Sequence, residues 1–361
     1  MRMLDSRQFA DKKILLIDKD DKKTNDRTWC FWEAGENYFN GLVYKQWEHL
    51  CIKNSDEILD LKMGNYTYKM IRGIDFYNYS FNRIAKAKNI TFLKGIIQIE
   101  YEKEKTKITV DNQTIDVNNA VVFNSLYQQP RQKNKIYLLQ HFKGWTIETP
   151  EDAFDDTKAT LMDFTINQSK GTAFMYVLPF SKTKALIEFT LFTSEVLQPK
   201  EYDDALKNYI SSIVDSYQIT EEEFGVIPMT NADFKFIKNG MYHIGTAGGQ
   251  TKPTTGYTFK FIQQHSQQIV DCLIANKLPT EPKTTSRFRF YDSTFLKVLS
   301  EQNIEGKKVF FTLFKKNSAE QVFKFLDNET AVVEELKIIS TLPVKEFLIA
   351  GLSVISMRHL L

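Results

Sequence analysis

Cysteine is scarce in this chain. Only Cys30, Cys51 and Cys272 occur, and none stands in a CxxC spacing. That argues against a disulfide framework or a structural zinc site, and it fits a reducing, cytoplasmic interior. A surplus of one charge is also missing. Lys plus Arg is 47 and Asp plus Glu is 45, giving a formal charge of +2. No nucleic-acid partner is expected, because phosphate binding needs cations gathered on one face. Long apolar runs are absent as well. The opening MRMLDSRQFADKK has no apolar signal-peptide core. No run reaches the ~18 residues that a bilayer span needs, and residues 347–357, the longest candidate, fall short. The five histidines (His49, His141, His243, His265, His359) show no metal-ligand spacing, and there is no P-loop, nucleophile elbow or internal repeat.

Aromatic residues are abundant. They make up 13% of the chain, with 28 Phe and 16 Tyr, enough to line a large apolar cavity as well as a core. With 42% hydrophobic and 25% charged residues, the composition is that of a soluble globular protein. A length of 361 residues allows two or three domains, or one two-lobed enzyme.

The run Lys13-Ile14-Leu15-Leu16-Ile17-Asp18 reads as a buried parallel strand ending in a carboxylate. Residues 1–9 before it read as the tail of a helix, so the partner of that strand is missing upstream. Asp26-Arg27-Thr28-Trp29-Cys30-Phe31-Trp32 forms an aromatic cluster expected in a loop. Residues 75–88 read as a helix and 90–124 as a meander returning to a buried strand. Residues 173–180 and 185–192 form a hairpin pattern around polar residues 181–184. Apolar positions from Tyr202 to Tyr217 recur at helical spacing. A strand at 241–245 leads into a loop with four glycines and then a helix, and residues 286–361 read as largely helical.

Three features could carry chemistry. Asp18 is either a ribose-binding carboxylate or a solvated strand end. The loop at 245–256 either brings backbone N–H groups close to a pyrophosphate or flavin, or is an ordinary strand-to-helix turn. Glu188 shares one strand face with Leu186, Thr190 and Phe192. It is either a desolvated, protonated general acid or an edge-strand residue paired with a lysine. Glu221-Glu222-Glu223 reads most simply as a solvated helix start.

Several segments together resemble the bacterial lycopene cyclases. They are Asp26-Arg27-Thr28-Trp29, Leu161-Met162-Asp163-Phe164, residues 174–181, Ala185-Leu186-Ile187-Glu188, residues 223–230, and residues 244–249 through Thr255-Gly256-Tyr257. The resemblance covers nearly the whole chain. It implies an α/β fold: a Rossmann-like FAD-binding domain of the aromatic-hydroxylase flavoprotein type, an antiparallel β-sheet substrate domain and a helical C-terminal region. The expected boundaries are 1–135 and 226–285 for the two FAD-binding segments, 136–225 for the sheet domain and 286–361 for the helical region. Glu188 falls on the family's acid–base carboxylate. Asp18 falls on the ribose carboxylate, and Arg27, Gly245, Thr246, Gly248, Gly249, Pro253, Thr255, Gly256 and Tyr257 are the other expected cofactor contacts. Asp163, Phe174, Tyr176 and Phe189 are the expected substrate contacts.

The chain departs from the family pattern in three places. Phe189 stands at a second acidic position, leaving Glu188 to act alone. Gly245-Thr246 replaces Gly-Asp, and Leu126 replaces the arginine of an Asp-Ser-Arg sequence near Asn124-Ser125. The first βα unit with its glycine-rich turn is not found, so a truncated or mis-started chain is expected. The resemblance implies redox-neutral cyclisation of lycopene or a related acyclic carotene to β-rings, an isomerase reaction. It also implies reduced FAD, NAD(P)H as reductant, and peripheral contact with the inner membrane. The rivals are a flavin monooxygenase or carotenoid reductase on the same fold, and a non-catalytic carotenoid-binding protein or inactive fragment.

Overall fold

Runs of branched and aromatic residues between polar turns set the strands of this chain. The computed structural model describes residues 1–102, 105–302 and 304–359. In chain order the first strands are β1 (Ile14–Asp18), β2 (Thr28–Ala34), β3 (Lys45–Trp47), β4 (His49–Lys53), β5 (Ile58–Leu61) and β6 (Tyr66–Arg72). Helix α1 (Gly73–Lys86) leads to β7 (Ile90–Lys94), β8 (Ile97–Glu102), β9 (Lys105–Val110), β10 (Gln113–Ile115) and β11 (Val122–Asn124). Then come β12 (Tyr137–Glu148), β13 (Lys158–Asp163), β14 (Thr172–Ser181), β15 (Lys184–Thr193), α2 (Pro199–Ile210) and β16 (Gln218–Thr230). After β17 (Ile237–Lys238) and β18 (Met241–His243) the chain is helical: α3 (Phe259–Ile274), α4 (Ser286–Glu301), α5 (Gly306–Lys316), α6 (Ala319–Leu326), α7 (Val332–Thr341) and α8 (Val344–His359).

The largest sheet has seven strands in the order β16-β12-β15-β14-β13-β4-β5. All its pairings are antiparallel except β13 with β4, so the sheet is mixed. It reaches beyond residues 136–225, because β4 and β5 come from the first segment and β16 runs on to Thr230. One face buries Ile187, Phe189 and Leu191 of β15 against Tyr202, Leu206 and Ile210 of α2. The other packs Phe174, Leu178, Leu186 and Phe192 into a core shared with Trp32, Tyr68, Phe310 and Phe323. Strands β2, β6 and β3 form a small antiparallel sheet over this second face. The 28–32 cluster is therefore a strand, not a loop; its partner β6 lies some forty residues on, from Thr28 paired with Arg72 to Ala34 with Tyr66.

Two parallel pairs complete the α/β part: β1 with β7, and β11 with β18. Among the described residues they belong to separate sheets. The partner of β1 is thus downstream, and among the described residues only one edge of β1 is paired. Leu15 and Leu16 remain 44% and 43% exposed, so that apolar run does not mark a strand covered on both sides. Residues 2–9 form two short 3-10 turns in place of the expected helix tail.

Candidate active site

Glu188 lies mid-strand in β15. Its neighbours across the ladder are Tyr176 on β14 and Gly144 on β12, and Gly144 in turn faces Glu223 on β16. Two carboxyl side chains thus flank a residue that has no side chain of its own. A Cβ on Gly144 would stand 3.0 Å from Leu186 Cδ1 and 3.1 Å from Glu223 Cγ. Glycine keeps that gap clear, and Glu188 and Glu223 hydrogen-bond to each other.

Each carboxyl also has a threonine. Thr190 Oγ1 donates to Glu188 Oε1 at 2.7 Å, and Thr28 Oγ1 donates to Glu223 Oε2 at 2.8 Å. Burial, and then the negative charge of Glu223, hold the Glu188 carboxyl well above the usual range. Burial raises Glu223 as well, opposed by its bonds from Thr28 and Glu188. Like charges this close and this dry do not both ionise, so one proton stays on the pair at neutral pH, resting on Glu188.

A layer of rings adjoins the pair. The Tyr68 hydroxyl bonds to the Tyr176 hydroxyl, and to that of Tyr257 at 2.6 Å. Trp32 packs on Tyr257 with ring centroids 4.4 Å apart and stacks on Phe323 at 4.6 Å. Phe174 continues the layer, edge-on to Phe192 at 5.7 Å. Burial pushes the Tyr68 and Tyr176 hydroxyls and the Cys30 thiol well up, so no phenolate or thiolate stands beside the acid.

Two expected substrate contacts do not join this group. Phe189 has the opposite parity to Glu188 and packs on Tyr202 of α2, with ring centroids 6.1 Å apart. Asp163 points to that same side, where its Oδ2 accepts from Tyr209 at 2.8 Å and its Oδ1 from Thr165. Phe174 and Tyr176 do lie on the Glu188 face. Glu223 is the residue that sequence reasoning missed. The acidic triplet lies in β16, not at a helix start, and strand alternation parts its members. Glu221 and Glu223 meet Asn25 and Thr28, whereas Glu222 pairs with Lys143 at 3.1 Å.

The expected cofactor residues separate into two groups. Asp18 closes β1, and its carboxylate accepts from the Asp20 amide at 2.9 Å while lying 3.7 Å from Lys22 Nζ. Asn124 and His243 close the other parallel pair, where His243 Nε2 is buried with no hydrogen-bond partner among the described residues. Just beyond, Gly245, Thr246 and Ala247 open a 3-10 turn, and their amides make no hydrogen bond among the described residues. These groups at strand ends suit the ribose hydroxyls and phosphates of a dinucleotide, and a flavin dinucleotide fits them.

The rest of the loop is turned on itself. The amides of Gly248, Gly249 and Gln250 return to Ile244, Thr246 and Gly245, and those of Thr255 and Gly256 to Lys252. Gly256 has φ +72°, and a Cβ there would collide with Gln140 Oε1, so its glycine serves the protein's own packing. Tyr257 belongs to the ring layer over Glu188. Arg27 is exposed and paired with Asp26 at 2.8 Å. Pro253 lines a cavity of about 680 Å³ between this loop and the start of α4, where Ser286 and Arg289 form the other wall. Neither Glu188 nor Glu223 borders that cavity. Beside Glu223 is a hollow of about 20 Å³, bordered also by Thr28, Met70 and Leu186.

A lycopene beta-cyclase of Pseudescherichia vulneris is 30% identical over 136 residues, covering 35% of this chain and 34% of that protein. A lycopene beta-cyclase of Pantoea ananas is 23% identical over 261 residues, 70% of this chain and 65% of that protein. These matches therefore span between a third and two thirds of the relatives' length. Among solved structures, a geranylgeranyl bacteriochlorophyll reductase-like protein of Thermoplasma acidophilum superposes with a TM-score of 0.56 at 13% identity, covering 92% of this chain and 91% of its own. A tryptophan halogenase of Shewanella frigidimarina superposes with a TM-score of 0.54 at 11% identity, covering 96% and 87%. At such identities these structures share the fold alone. The sequence pattern of the family described as lycopene cyclase protein runs from residue 3 to residue 350, through both carboxyls, the ring layer and the glycine loop, and the chain belongs to that family.

Proposed function

We propose that this protein cyclises the acyclic ends of lycopene to β-rings, yielding gamma-carotene and beta-carotene. The observation that carries the reading is a buried carboxyl, Glu188, held well above the usual carboxylate range by its burial, beside aromatic rings and a second carboxyl, in a chain of this family. Glu188 delivers its proton to the terminal trisubstituted alkene and leaves a tertiary cation. The neighbouring double bond attacks that cation and closes a six-membered ring. Loss of one ring proton to the carboxyl pair restores the acid, so no atom is gained or lost and the reaction is an isomerisation.

The ring faces of Trp32, Tyr68, Tyr176 and Tyr257 stabilise the cation, each by about 1–2 kcal/mol when desolvated. Their neutral hydroxyls do not trap it, and their bulk excludes water. Glu188 is closed in by this layer, so an alkene reaches it only when the rings part. Asp18 and the amides of Gly245, Thr246 and Ala247 would hold FAD, and the exposed Arg27 would meet a phosphate only by leaving its pairing with Asp26. The flavin, kept reduced by NAD(P)H, would supply negative charge that favours the cation.

The substrate is a hydrocarbon, so the protein works at a membrane surface. No helix among the described residues is long and apolar enough to cross a membrane. Helix α8 turns Ala350 and Val354 inward and Leu348, Leu352 and Ile355 outward, and Val333 and Leu336 of α7 are exposed as well. This aliphatic patch is the proposed seat of peripheral attachment to the inner membrane. Leu348→Ser with Leu352→Ser is expected to weaken binding to phosphatidylglycerol-containing vesicles about tenfold or more, since each buried leucine contributes ~1.5–3 kcal/mol. Flotation of the vesicles measures it, and unchanged binding would move the contact elsewhere.

Expression in lycopene-accumulating cells, followed by pigment analysis, tests the function. Ring-bearing carotenes at lycopene's expense are the expected result. NAD(P)H consumed in proportion to product would indicate a reductase or monooxygenase on this fold, and bound but unchanged lycopene would indicate a carrier.

A further inference from the structure

We infer that Glu223 is a positioning residue of the reaction: it keeps the shared proton on Glu188 and is the route by which Glu188 exchanges that proton with solvent. The argument begins with the backbone. Gly144 lies between the two carboxyls in the ladder, and its missing side chain is what lets them bond. Thr28, on a different sheet, donates to Glu223 and fixes the carboxylate's orientation.

The two carboxyls differ in access. Glu188 is 9% exposed and does not border the 20 Å³ hollow; Glu223 does. A space of that size holds about one water. Its other walls include Asn25, Arg72, Lys184, Glu221 and Glu222, of which the two glutamates are exposed. A proton therefore has a polar path from bulk water to Glu223 and from there to Glu188. On the far side, among the described residues, Glu188 adjoins Thr190, Cys30, Tyr257 and its ladder neighbour Tyr176, all of them neutral groups.

The exchange balances simply. When Glu188 has given up its proton, two buried carboxylates remain side by side, an arrangement that draws a proton back. In turnover the ring proton returns to the pair and restores it; between turnovers Glu223 gives a proton to the adjoining water and takes one back, so the pair keeps one proton while solvent hydrogen reaches Glu188. No electrons move.

The charged groups around the pair set the sign of the test. Glu223 is the anion nearest Glu188, and Glu221 and Asp26 add negative charge behind it. Glu223→Gln removes the nearest anion while its amide oxygen still accepts from Thr28. The Glu188 carboxyl should then ionise at lower pH, by about one unit or more. Infrared titration of the purified protein reads this directly, from the carbonyl band of a buried acid that Glu188→Gln deletes. That measurement needs no substrate, so it stands even if the cyclase reading, on which the kinetic role rests, fails. In the pigment assay the alkaline limb of the pH profile should move to lower pH in Glu223→Gln; a loss of activity with the limb unmoved would mean a merely structural role. Should Glu223→Gln not fold, Glu223→Asp withdraws the carboxylate by one methylene and should give a smaller shift in the same direction. An identical Glu188 midpoint in wild type and variant would overturn the inference.

Discussion

Glu188→Gln is expected to abolish ring formation while leaving the fold intact. The amide matches the carboxyl in size and still accepts from Thr190, so the packing around β15 has no reason to change. What it lacks is a proton that an alkene can take. General acid catalysis contributes ~10²–10⁴-fold, and alkene protonation has no weaker substitute in this site, so activity should fall by at least that factor. The neighbouring hydroxyls of Tyr68 and Tyr176 are held far too high to serve as acids. Pigment analysis with matched protein levels measures the loss. A Glu188→Gln protein that still forms rings would place the acid elsewhere.

Arg287→Leu should give the largest loss of stability. Glu335 in α7 is completely buried, and Arg287 Nε holds its two oxygens at 2.9 and 3.1 Å. Tyr291 donates to the same carboxylate at 3.0 Å, and Arg287 Nη2 bonds the Thr330 carbonyl at 3.1 Å. Removing the guanidinium leaves a charge in the interior with hydroxyls alone for company. Breaking such a pair from one side costs ~3–5 kcal/mol, and the partial exposure of Arg287 favours the lower end. Urea unfolding should show the midpoint fall with the slope unchanged. Substituting Arg287 and Glu335 together by leucine should recover most of the loss, because an apolar pair carries no stranded charge. A cost for Arg287→Leu below ~1 kcal/mol would class the pair with surface ion pairs.

The parts of this site that follow local rules were readable in the sequence. The alternation in Ala-Leu-Ile-Glu-Phe-Thr-Leu-Phe put Glu188 with Leu186, Thr190 and Phe192, and the ladder agrees. The same alternation already assigned Phe189 to the other face; the expectation that it touches substrate came from the resemblance and ran against the period of the strand. Glu223 was hidden for a different reason. Three consecutive acids suggest solvent, and only the long pairing of β16 with β12, together with Thr28 from a distant strand, desolvates the third. The alternation of Phe224 and Val226 with Glu223 and Gly225 was the one available sign of a strand there. Non-local pairing also explains residues 28–32, whose partner strand begins at Tyr66. The glycine loop was legible as a strand-to-helix turn, but sequence alone does not separate a glycine that admits a ligand from one that admits Gln140.

The parallel pairing of β4 with β13 bears on how the chain is made. Leu50 and Cys51 find their ladder neighbours at Ala159 and Thr160, more than a hundred residues later. During synthesis, at ~5–20 residues per second, the first of these strands waits several seconds for the second. Over that interval β4 can pair with β5 on one side, but the edge that will meet β13 stays open, which makes this stretch of the nascent chain the one most exposed to wrong strand pairing until β13 arrives.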